Sequence, residues 1–249
     1  MAALVSVDNV SFTFENSNLE IMDNVSFAAK RGEFVSLVGP SGCGKSTLLR
    51  IIAGLIRPTT GSVRFMNKEI TGPNSRMSFV FQDFALLPWL TNLENVKIGL
   101  SMSGLSDIEK NKRASELLDR FGLGGFGSYY PNALSGGMKQ RVGIARAVVS
   151  DPNVILMDEP FSSLDELTAE TLRSDIVYML ENKNISVNSV IMVTHNVEEA
   201  VQLSDKIVVM SDKPATVKKV ISIKAGRPRD KRSEILSKKM DEIYAILAH

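Results

Sequence analysis

The sequence is poor in cysteine, since Cys43 is the only one among 249 residues. One cysteine excludes an intrachain disulfide and fits a protein of a reducing compartment. An excess of charge of one sign is also missing, because 29 basic residues face 28 acidic ones. The formal net charge of +1 therefore gives no electrostatic argument for binding nucleic acid.

Long hydrophobic runs are absent as well. Polar residues interrupt every apolar stretch well before the roughly 18 positions that a membrane-spanning helix needs. The first ten residues lack a basic stretch followed by a long apolar one, so no secretory signal is expected. We therefore expect a cytoplasmic protein that would act at a membrane only through a partner.

The sequence does contain enough apolar material for a core. Hydrophobic residues make up 44% of the chain and charged residues 23%, which fits one large α/β domain or two small ones. Short apolar runs alternate with helical patterns, as is typical of an α/β fold. The predicted strands are Val25–Ala29, Phe34–Val38, Ser62–Phe65, Met77–Val80, Val154–Met157, Val190–Val193 and Lys206–Met210. The predicted helices are Lys45–Ala53, Asp107–Phe121, Gly136–Val149, Leu167–Glu181, Val197–Leu203 and Arg232–Leu247.

Two stretches stand apart from this alternation. Residues 90–134 have helical patterning and few strand signals, which predicts a helical subdomain inserted between strands. Within it, Gly122–Gly127 is predicted to be a flexible connector. The tail from residue 212 predicts a final strand and an amphipathic helix, whose apolar side we expect to pack on the domain.

A glycine-rich segment lies between the predicted strand Phe34–Val38 and the helix that starts at Lys45. Its residues fit the P-loop pattern: Gly39, Pro40, Ser41, Gly42, Cys43, Gly44, Lys45, Ser46 and Thr47. Glycines let the backbone wrap closely around phosphates, and its N–H groups and the helix N-terminus favour negative charge. The pattern predicts ATP binding, with Lys45 at the β- and γ-phosphates and Ser46 as a Mg²⁺ ligand. A glycine-rich loop that binds nothing is the alternative, and Cys43 is interpreted as a small filler rather than a redox switch.

Two carboxylates, Asp158 and Glu159, follow the apolar strand Val154–Met157. Ligands of open α/β sheets bind at this end of the strands. Asp158 is predicted to hold Mg²⁺ through water, and Glu159 is predicted to polarise the attacking water as general base. Alone, such a pair is usually a strand that leads into a turn. Together with a P-loop upstream it predicts the second half of a nucleotide site.

A third element, LSGGMKQR at residues 134–141, precedes a predicted helix and lies just ahead of the acidic strand. It resembles the signature sequence of ABC ATPases. Ser135 supplies a hydroxyl, Gly136 and Gly137 leave backbone N–H groups open, and a helix N-terminus favours phosphate. A capping serine with a glycine pair is the alternative. It does not explain why the P-loop, this element and the acidic strand occur in this order.

Further marks of the ABC family are present within residues 4–211. Gln82 matches the Q-loop, Ser163–Asp165 matches the D-loop and His195 matches the switch histidine. Phe14 stands where the family carries an aromatic residue that stacks on adenine. Phe12 competes for that role, and a place in the core is the alternative for Phe14.

The resemblance implies an α/β fold with a P-loop NTPase core, in which a mixed or parallel sheet is flanked by helices. An antiparallel β part and an inserted α-helical subdomain complete it. The chain is then a single ABC-type ATPase domain over residues 1–249. Its ATP-binding core spans residues 1–89 and 135–211, its helical subdomain residues 90–134 and its short tail residues 212–249.

The resemblance also implies that two chains pair head to tail, with each ATP between the P-loop of one chain and the signature of the other. Ser135 and Gly137 would contact the γ-phosphate across the dimer, and His195 would contact the same phosphate and help to position water. Gln82 would sense Mg²⁺ and relay the nucleotide state to a membrane partner. Asp165 would contact the opposite chain near its P-loop.

The segment FALLPWL at residues 84–90 is similar to that of the nitrate, sulfonate and taurine importer ATPases, and Gly226–Arg229 is similar to their tails. This implies an ATP-hydrolysing subunit that powers import of such a small solute. It would bind permease subunits at the inner face of the cell membrane, with a solute-binding protein as an indirect partner. A soluble ABC ATPase acting on DNA or ribosomes is the alternative. The lack of a heptad run between the P-loop and the signature argues against it.

Phe84, Leu86, Leu87 and Trp89 form an apolar cluster close to Gln82 in the sequence. We expect them to line the groove that receives a short helix of the permease, because exposed apolar patches mark partner sites. The alternative is that some of them seal the helical subdomain against the core. Trp89 is expected to be the more exposed.

Overall fold

Apart from a few short gaps, the computed structural model describes the whole chain, at residues 3–14, 19–162, 164–181, 187–227, 229–230 and 233–248. The strands are β1 (Ala3–Phe14), β2 (Leu19–Lys30), β3 (Phe34–Val38), β4 (Thr60–Phe65), β5 (Lys68–Glu69), β6 (Met77–Val80), β7 (Val154–Asp158), β8 (Ser189–Val193), β9 (Lys206–Met210) and β10 (Val217–Ser222). The α-helices are α1 (Lys45–Ile52), α2 (Asn92–Ile98), α3 (Asp107–Arg120), α4 (Gly136–Val148), α5 (Glu166–Glu181), α6 (Val197–Leu203) and α7 (Glu234–Leu247).

The chain separates into two compact units. The first consists of Met1–Asn74 and Asn188–His249, and the second of Ser75–Val187. The first unit carries β1 to β5, β8 to β10, α1, α6 and α7, and the second carries β6, β7 and α2 to α5. The division into an ATP-binding core, a helical subdomain and a tail stays a prediction.

The predicted alternation of strands and helices is confirmed. Phe34–Val38, Met77–Val80, Lys206–Met210 and Val197–Leu203 have the predicted bounds. The stretch predicted to be helical carries α2 and α3, and the predicted strand and helix of the tail are β10 and α7. Arg232, where the tail helix was predicted to begin, lies outside the described residues.

Strand β1 was not predicted, because a β-bulge interrupts its alternation. Val5 and Val7 are buried two residues apart, but the next buried residue, Val10, comes three residues later, where the pairing with β2 shifts. Between Val7 and Val10, Asn9 has a φ of 52°, and its side-chain Nδ2 donates to Asn24 Oδ1 at 2.6 Å. The extra residue keeps both Val7 and Val10 in the core and hides the period of two from the sequence.

Two sets of paired strands position the site in the first unit. One is an antiparallel sheet in the order β2-β1-β4-β5. In the other, β3 pairs in parallel with β8 and β9, and β10 is antiparallel to β9. Every residue of β3 and β8 is buried, as is typical of parallel strands covered on both faces. Because β3 and β8 are parallel neighbours, the loops that follow them leave the same edge of the sheet.

The second unit combines a parallel strand pair with a group of helices. Strand β6 pairs in parallel with β7, so their carboxyl ends also meet at one edge. Helix α2 packs on α3 and α4, and α4 packs on α5. Capping boxes start α2 at Thr91 with Glu94 and α3 at Ser106 with Glu109. Each box satisfies two backbone N–H groups, that of the N-cap residue and that of the glutamate, which fixes where these helices begin.

Helix α7 is part of the core of the first unit. Leu236 and Ile243 are buried in one cluster with Val197, Ala200 and Val201 of α6. The tail therefore packs on its unit, as predicted. No helix among the described residues is long and apolar enough to cross a membrane.

We expect Ile243→Ala to lower the free energy of unfolding by about 2 to 5 kcal/mol, because it empties a fully buried site. Urea denaturation measures this change. Ile235→Ala is the matched control on the same helix, where the side chain is 65% exposed, and should change the value by less than about 0.5 kcal/mol. Equal losses in the two variants would contradict the packing of α7.

Candidate nucleotide-binding site

The P-loop joins β3 to α1 in the first unit. Gly44, the residue before α1, has a φ of 108°, and a Cβ there would lie 2.5 Å from Ile21 Cγ2. Both the backbone angle and the lack of space require glycine. No side chain among the described residues caps the start of α1. The N–H groups of its first turn can therefore bind an anion.

The ammonium group of Lys45 lies against the loop. Lys45 is buried, and its Nζ donates to the carbonyl oxygens of Gly39 at 2.9 Å and Pro40 at 2.7 Å. These bonds hold a positive charge at the mouth of the loop, where a phosphate would sit. The remaining residues, apart from Cys43, lie at or near the surface: Ser41, Gly42, Ser46 and Thr47.

Cys43 lies buried beneath the loop. Its Sγ is 3.9 Å from Lys45 Nζ. Burial raises the pKa of the Cys43 thiol above its ordinary value, and the nearby charge of Lys45 opposes this only in part. A thiol with a raised pKa is less ionised and therefore less nucleophilic. The environment supports a packing role for this side chain.

His195 and Phe14 also belong to the first unit. His195 follows β8, so it emerges at the same sheet edge as the P-loop, and it is exposed. Phe14 ends β1 and is 45% exposed, and its ring meets Phe12 edge to face with centroids 5.0 Å apart. Because Phe12 is buried, Phe14 is the ring of this pair that offers surface for stacking on a base.

The second unit brings Gln82 and Glu159 together. Asp158 is the buried last residue of β7, and Gln82 lies just beyond the end of the neighbouring β6. Gln82 Nε2 lies 3.5 Å from Glu159 Oε2, at the outer limit of a hydrogen bond. Glu159 has a φ of 46°, and Ser162 donates to its carbonyl from N–H and hydroxyl. A non-glycine residue in this region is uncommon and is often found at functional sites.

The signature segment starts α4. Ser135 is the N-cap residue, and its Oγ accepts a hydrogen bond from the N–H of Met138 at 3.3 Å. Ser135 and Gly136 are exposed. The capping alternative therefore describes part of the geometry correctly. The same arrangement leaves an exposed, glycine-lined helix N-terminus that favours an anion.

The D-loop residue Asp165 lies next to the signature. It caps α5 by accepting hydrogen bonds from the N–H of Thr168 at 3.0 Å and from its hydroxyl at 2.7 Å. These bonds hold the pKa of Asp165 below its ordinary value. A Cβ on Gly137 would collide with the methyl group of Thr168, so the signature and the D-loop are packed together through Thr168. Ser163 lies outside the described residues.

Helix α4 also holds the segment that follows Gln82. Arg146 donates to the carbonyl oxygen of Ala85 at 2.7 Å and to that of Phe84, both of which have positive φ angles. Burial lowers the pKa of the Arg146 guanidinium from its ordinary value, and Asp83 opposes this shift. Phe84 is buried and packs against Gly143. Phe84 is therefore a packing residue against α4, and a role in sealing the helical subdomain against the core stays a prediction.

Asn95 of α2 organises the next turn. Its Nδ2 donates to the carbonyl oxygens of Leu87, Leu90 and Thr91 at 3.0 to 3.1 Å, and its Oδ1 accepts from Leu87 N–H at 2.8 Å. The turn leaves Trp89 69% exposed, and this exposure was predicted. Leu86 and Leu87, the other members of the predicted apolar cluster, are half-buried.

Three of these positions were not predicted from the sequence. Thr168 stands three residues after Asp165, which is the spacing of a helix N-cap pair and was a usable signal. Arg146 and Asn95 bond to carbonyl groups outside their own helices. Contacts of this kind leave no local pattern in a single sequence.

A P-loop between a buried strand and a helix, with an acidic pair after another buried strand, defines a P-loop nucleoside triphosphatase. The signature segment is not part of the general pattern of this class. It therefore indicates a more specific group of P-loop nucleoside triphosphatases.

The comparisons with known proteins identify the group. The profile of the ABC transporter family matches residues 22–162. An aliphatic sulfonates import ATP-binding protein of Bacillus cereus is 43% identical over 92% of this chain and 90% of its own length. A nitrate import ATP-binding protein of Synechocystis is 42% identical over 86% and 80%. A dimeric ATP-binding cassette bound to ADP and Pi after hydrolysis aligns with a TM-score of 0.78 and 35% identity over 89% of this chain and 100% of its own.

This chain therefore belongs to the ABC transporter family. The predicted α/β P-loop fold and the predicted activity of an ATP hydrolase are confirmed. The roles of individual site residues stay predictions. The comparisons give no support to an ATPase acting on DNA or ribosomes.

We expect Cys43 to react slowly with a thiol reagent in the native protein, because it is buried and its pKa is raised. Labelling with Ellman's reagent at pH 8 measures the rate, and the single cysteine makes the readout unambiguous. The control is the same protein in guanidinium chloride, where labelling should be fast. A native rate equal to the unfolded rate would contradict the packing role.

Proposed function

We propose that this chain is the ATP-hydrolysing subunit of an importer for nitrate, a sulfonate, taurine or a similar small solute. The observation that carries the proposal is that one chain has two glycine-flanked helix N-termini suited to bind phosphate, the P-loop before α1 and the signature segment at the start of α4. A P-loop enzyme that works as a single chain has no use for the second. The names of the sulfonate and nitrate relatives support the choice of solute.

ATP binding is assigned to the first unit. The adenine would stack on the exposed ring of Phe14, and the phosphates would lie on the N–H groups of the P-loop and α1. Lys45 would exchange its bonds to the carbonyls of Gly39 and Pro40 for bonds to the β- and γ-phosphates. The exchange is favourable because both partners of the new bonds are charged.

Magnesium would be held by Ser46, Asp158 and Gln82. Their hydroxyl, carboxylate and amide oxygens are the donors that Mg²⁺ prefers, and Asp158 is a buried carboxylate at a strand end. When bound, Mg²⁺ neutralises charge on the β- and γ-phosphates. This chain's own contribution is to place oxygen donors where loops leave the strands.

Hydrolysis is assigned to Glu159, Gln82 and His195. Glu159 would accept the proton of the attacking water, and Gln82, 3.5 Å from its carboxylate, would orient both. His195 would contact the γ-phosphate from the sheet edge that also carries the P-loop. Catalysis would come mainly from positioning and electrostatics, as phosphoryl transfer requires.

The working form would be a homodimer of this chain, paired head to tail. Ser135, Gly136 and Gly137 of one copy would complete the phosphate site of the other, and Asp165 would lie near the partner's P-loop. A γ-phosphate bound by both copies closes the dimer, and its loss on hydrolysis lets the dimer reopen. The similar ATP-binding cassette, which is dimeric and bound to ADP and Pi, supports a dimer.

Permease binding is assigned to the turn around Trp89. The ring is largely exposed, while Asn95 fixes the backbone beneath it by four hydrogen bonds. A large exposed aromatic on a rigid turn is suited to anchor a partner helix. Since the turn follows Gln82 by a few residues, the nucleotide state could be passed to the permease there. The complex would lie at the inner face of the cell membrane, and a solute-binding protein would deliver the solute to the permease.

We expect Glu159→Gln to bind ATP, to accumulate as a closed dimer and to lose about 10²- to 10⁴-fold in turnover, because the amide cannot accept the proton. Phosphate release measures turnover, and size-exclusion chromatography with ATP measures the dimer. Glu69→Gln, at an exposed carboxylate of β5, is the control and should behave as wild type. Near-normal hydrolysis by Glu159→Gln would remove Glu159 as the base.

Trp89→Ala should reduce the amount of permease that co-purifies with the tagged chain from detergent-solubilised membranes, while ATP binding stays unchanged. The reason is the loss of an exposed anchor that touches neither nucleotide element. Tyr244→Ala, which removes an exposed aromatic from α7, is the matched control. Normal recovery of the permease with Trp89→Ala would contradict this docking site.

A further inference from the structure

The loop that carries His195 is tied to the first turn of α6. Thr194 Oγ1 donates to Glu199 Oε2 at 2.8 Å and accepts from the N–H of Asn196 at 3.0 Å. Asn196 Oδ1 in turn accepts from the N–H groups of Glu198 and Glu199. Thr194 and Glu199 are both buried, so this network is shielded from water. The two residues that flank His195 are therefore fixed to α6.

The opposite end of α6 is fixed by Arg229. Its side chain is 1% exposed, and its Nη1 donates to the carbonyl oxygens of Val201 and Ser204. Its Nε donates to Ala225 at 2.9 Å, within the tail itself. The last carbonyl groups of a helix have no partner within the helix, and a buried guanidinium satisfies several of them at once.

Arg227 and Asp205 extend the same cluster to β3. Arg227 donates to the carbonyl oxygen of Leu203 at 2.8 Å and to Asp205 Oδ2 at 3.0 Å. Asp205 also accepts from Arg229 and from the N–H of Phe34 at 2.9 Å, where β3 begins. Strand β3 leads into the P-loop, so the cluster joins the strand before the P-loop to the helix after His195. Pro228 lies outside the described residues.

We infer that Glu199 and Arg229 are positioning residues for His195, which fix α6 at its two ends and so set where the imidazole lies. Helix α6 has only seven residues, and a helix this short depends on contacts outside itself. The inference rests on the proposed function, in which His195 contacts the γ-phosphate. Arg229 belongs to the segment at residues 226–229 that resembles importer tails, and that resemblance does not by itself imply any role for it.

The test compares steady-state ATP hydrolysis by the purified full chain in two backgrounds. Arg229→Met should lower kcat about 10- to 100-fold with little change in KM, because a misplaced group affects the reaction more than binding. In the His195→Ala background the same change should have no further effect, since residues that act as a unit are not additive. Glu199→Gln, at the other end of α6, should lower kcat in the same way and should also have no further effect in the His195→Ala background. Arg229→Lys, which keeps the positive charge, should retain more of kcat than Arg229→Met does.

Lys219→Met, which removes an exposed ion pair with Glu242 in the tail, is the matched control and should leave kcat unchanged. A loss of kcat from Arg229→Met or Glu199→Gln that is equally large in both backgrounds would overturn the positioning role alone. Unchanged kcat in Arg229→Met and Glu199→Gln would also overturn the positioning role. Wild-type kcat in His195→Ala itself would instead remove His195 from the proposed mechanism, and the inference with it. If Arg229→Met does not fold, the Glu199→Gln comparison decides.

Discussion

The exposure of backbone N–H groups at glycine-flanked helix N-termini is the constraint on which the function proposed for this structure depends. Such groups are available at helix N-termini and beside residues without a side chain. The chain meets the requirement twice, at Gly44 before α1 and at Gly136 and Gly137 at the start of α4. At Gly44 the backbone angle and Ile21 favour glycine, and at Gly137 a Cβ would collide with the methyl group of Thr168. In the proposed function, two copies of the chain bring one element of each kind to each ATP.

The parallel strands supply the second requirement, which is to gather side chains from distant parts of the sequence. Strand β3 next to β8 places the P-loop and His195 at one edge, and β6 next to β7 does the same for Gln82 and the acidic pair. Every residue of β3, β7 and β8 is buried, so the loops that leave these strands start from the packed interior. In the proposed cycle, the contact between copies changes with the presence of the γ-phosphate.

Much of this could be predicted because the chemistry-bearing segments are local. The P-loop, the signature and the acidic pair are each continuous in the sequence, and each sits beside a strand or helix with a clear apolar pattern. Strand β1 escaped prediction because the bulge at Asn9 breaks its period. The residues of the predicted apolar cluster differ in exposure, since Phe84 is buried and Trp89 is exposed. Arg146 and Asn95 fix the backbone of that segment through contacts that one sequence does not reveal.

In the proposed function, this ATPase works on a membrane permease. The most direct measurement is affinity purification of the tagged chain from detergent-solubilised membranes of its own host, with the companions identified by mass spectrometry. We expect a hydrophobic permease in stoichiometric amount, encoded beside a solute-binding protein. Recovery only from the soluble fraction, with DNA-binding or ribosomal companions, would leave the ATPase in place and contradict the function proposed for it.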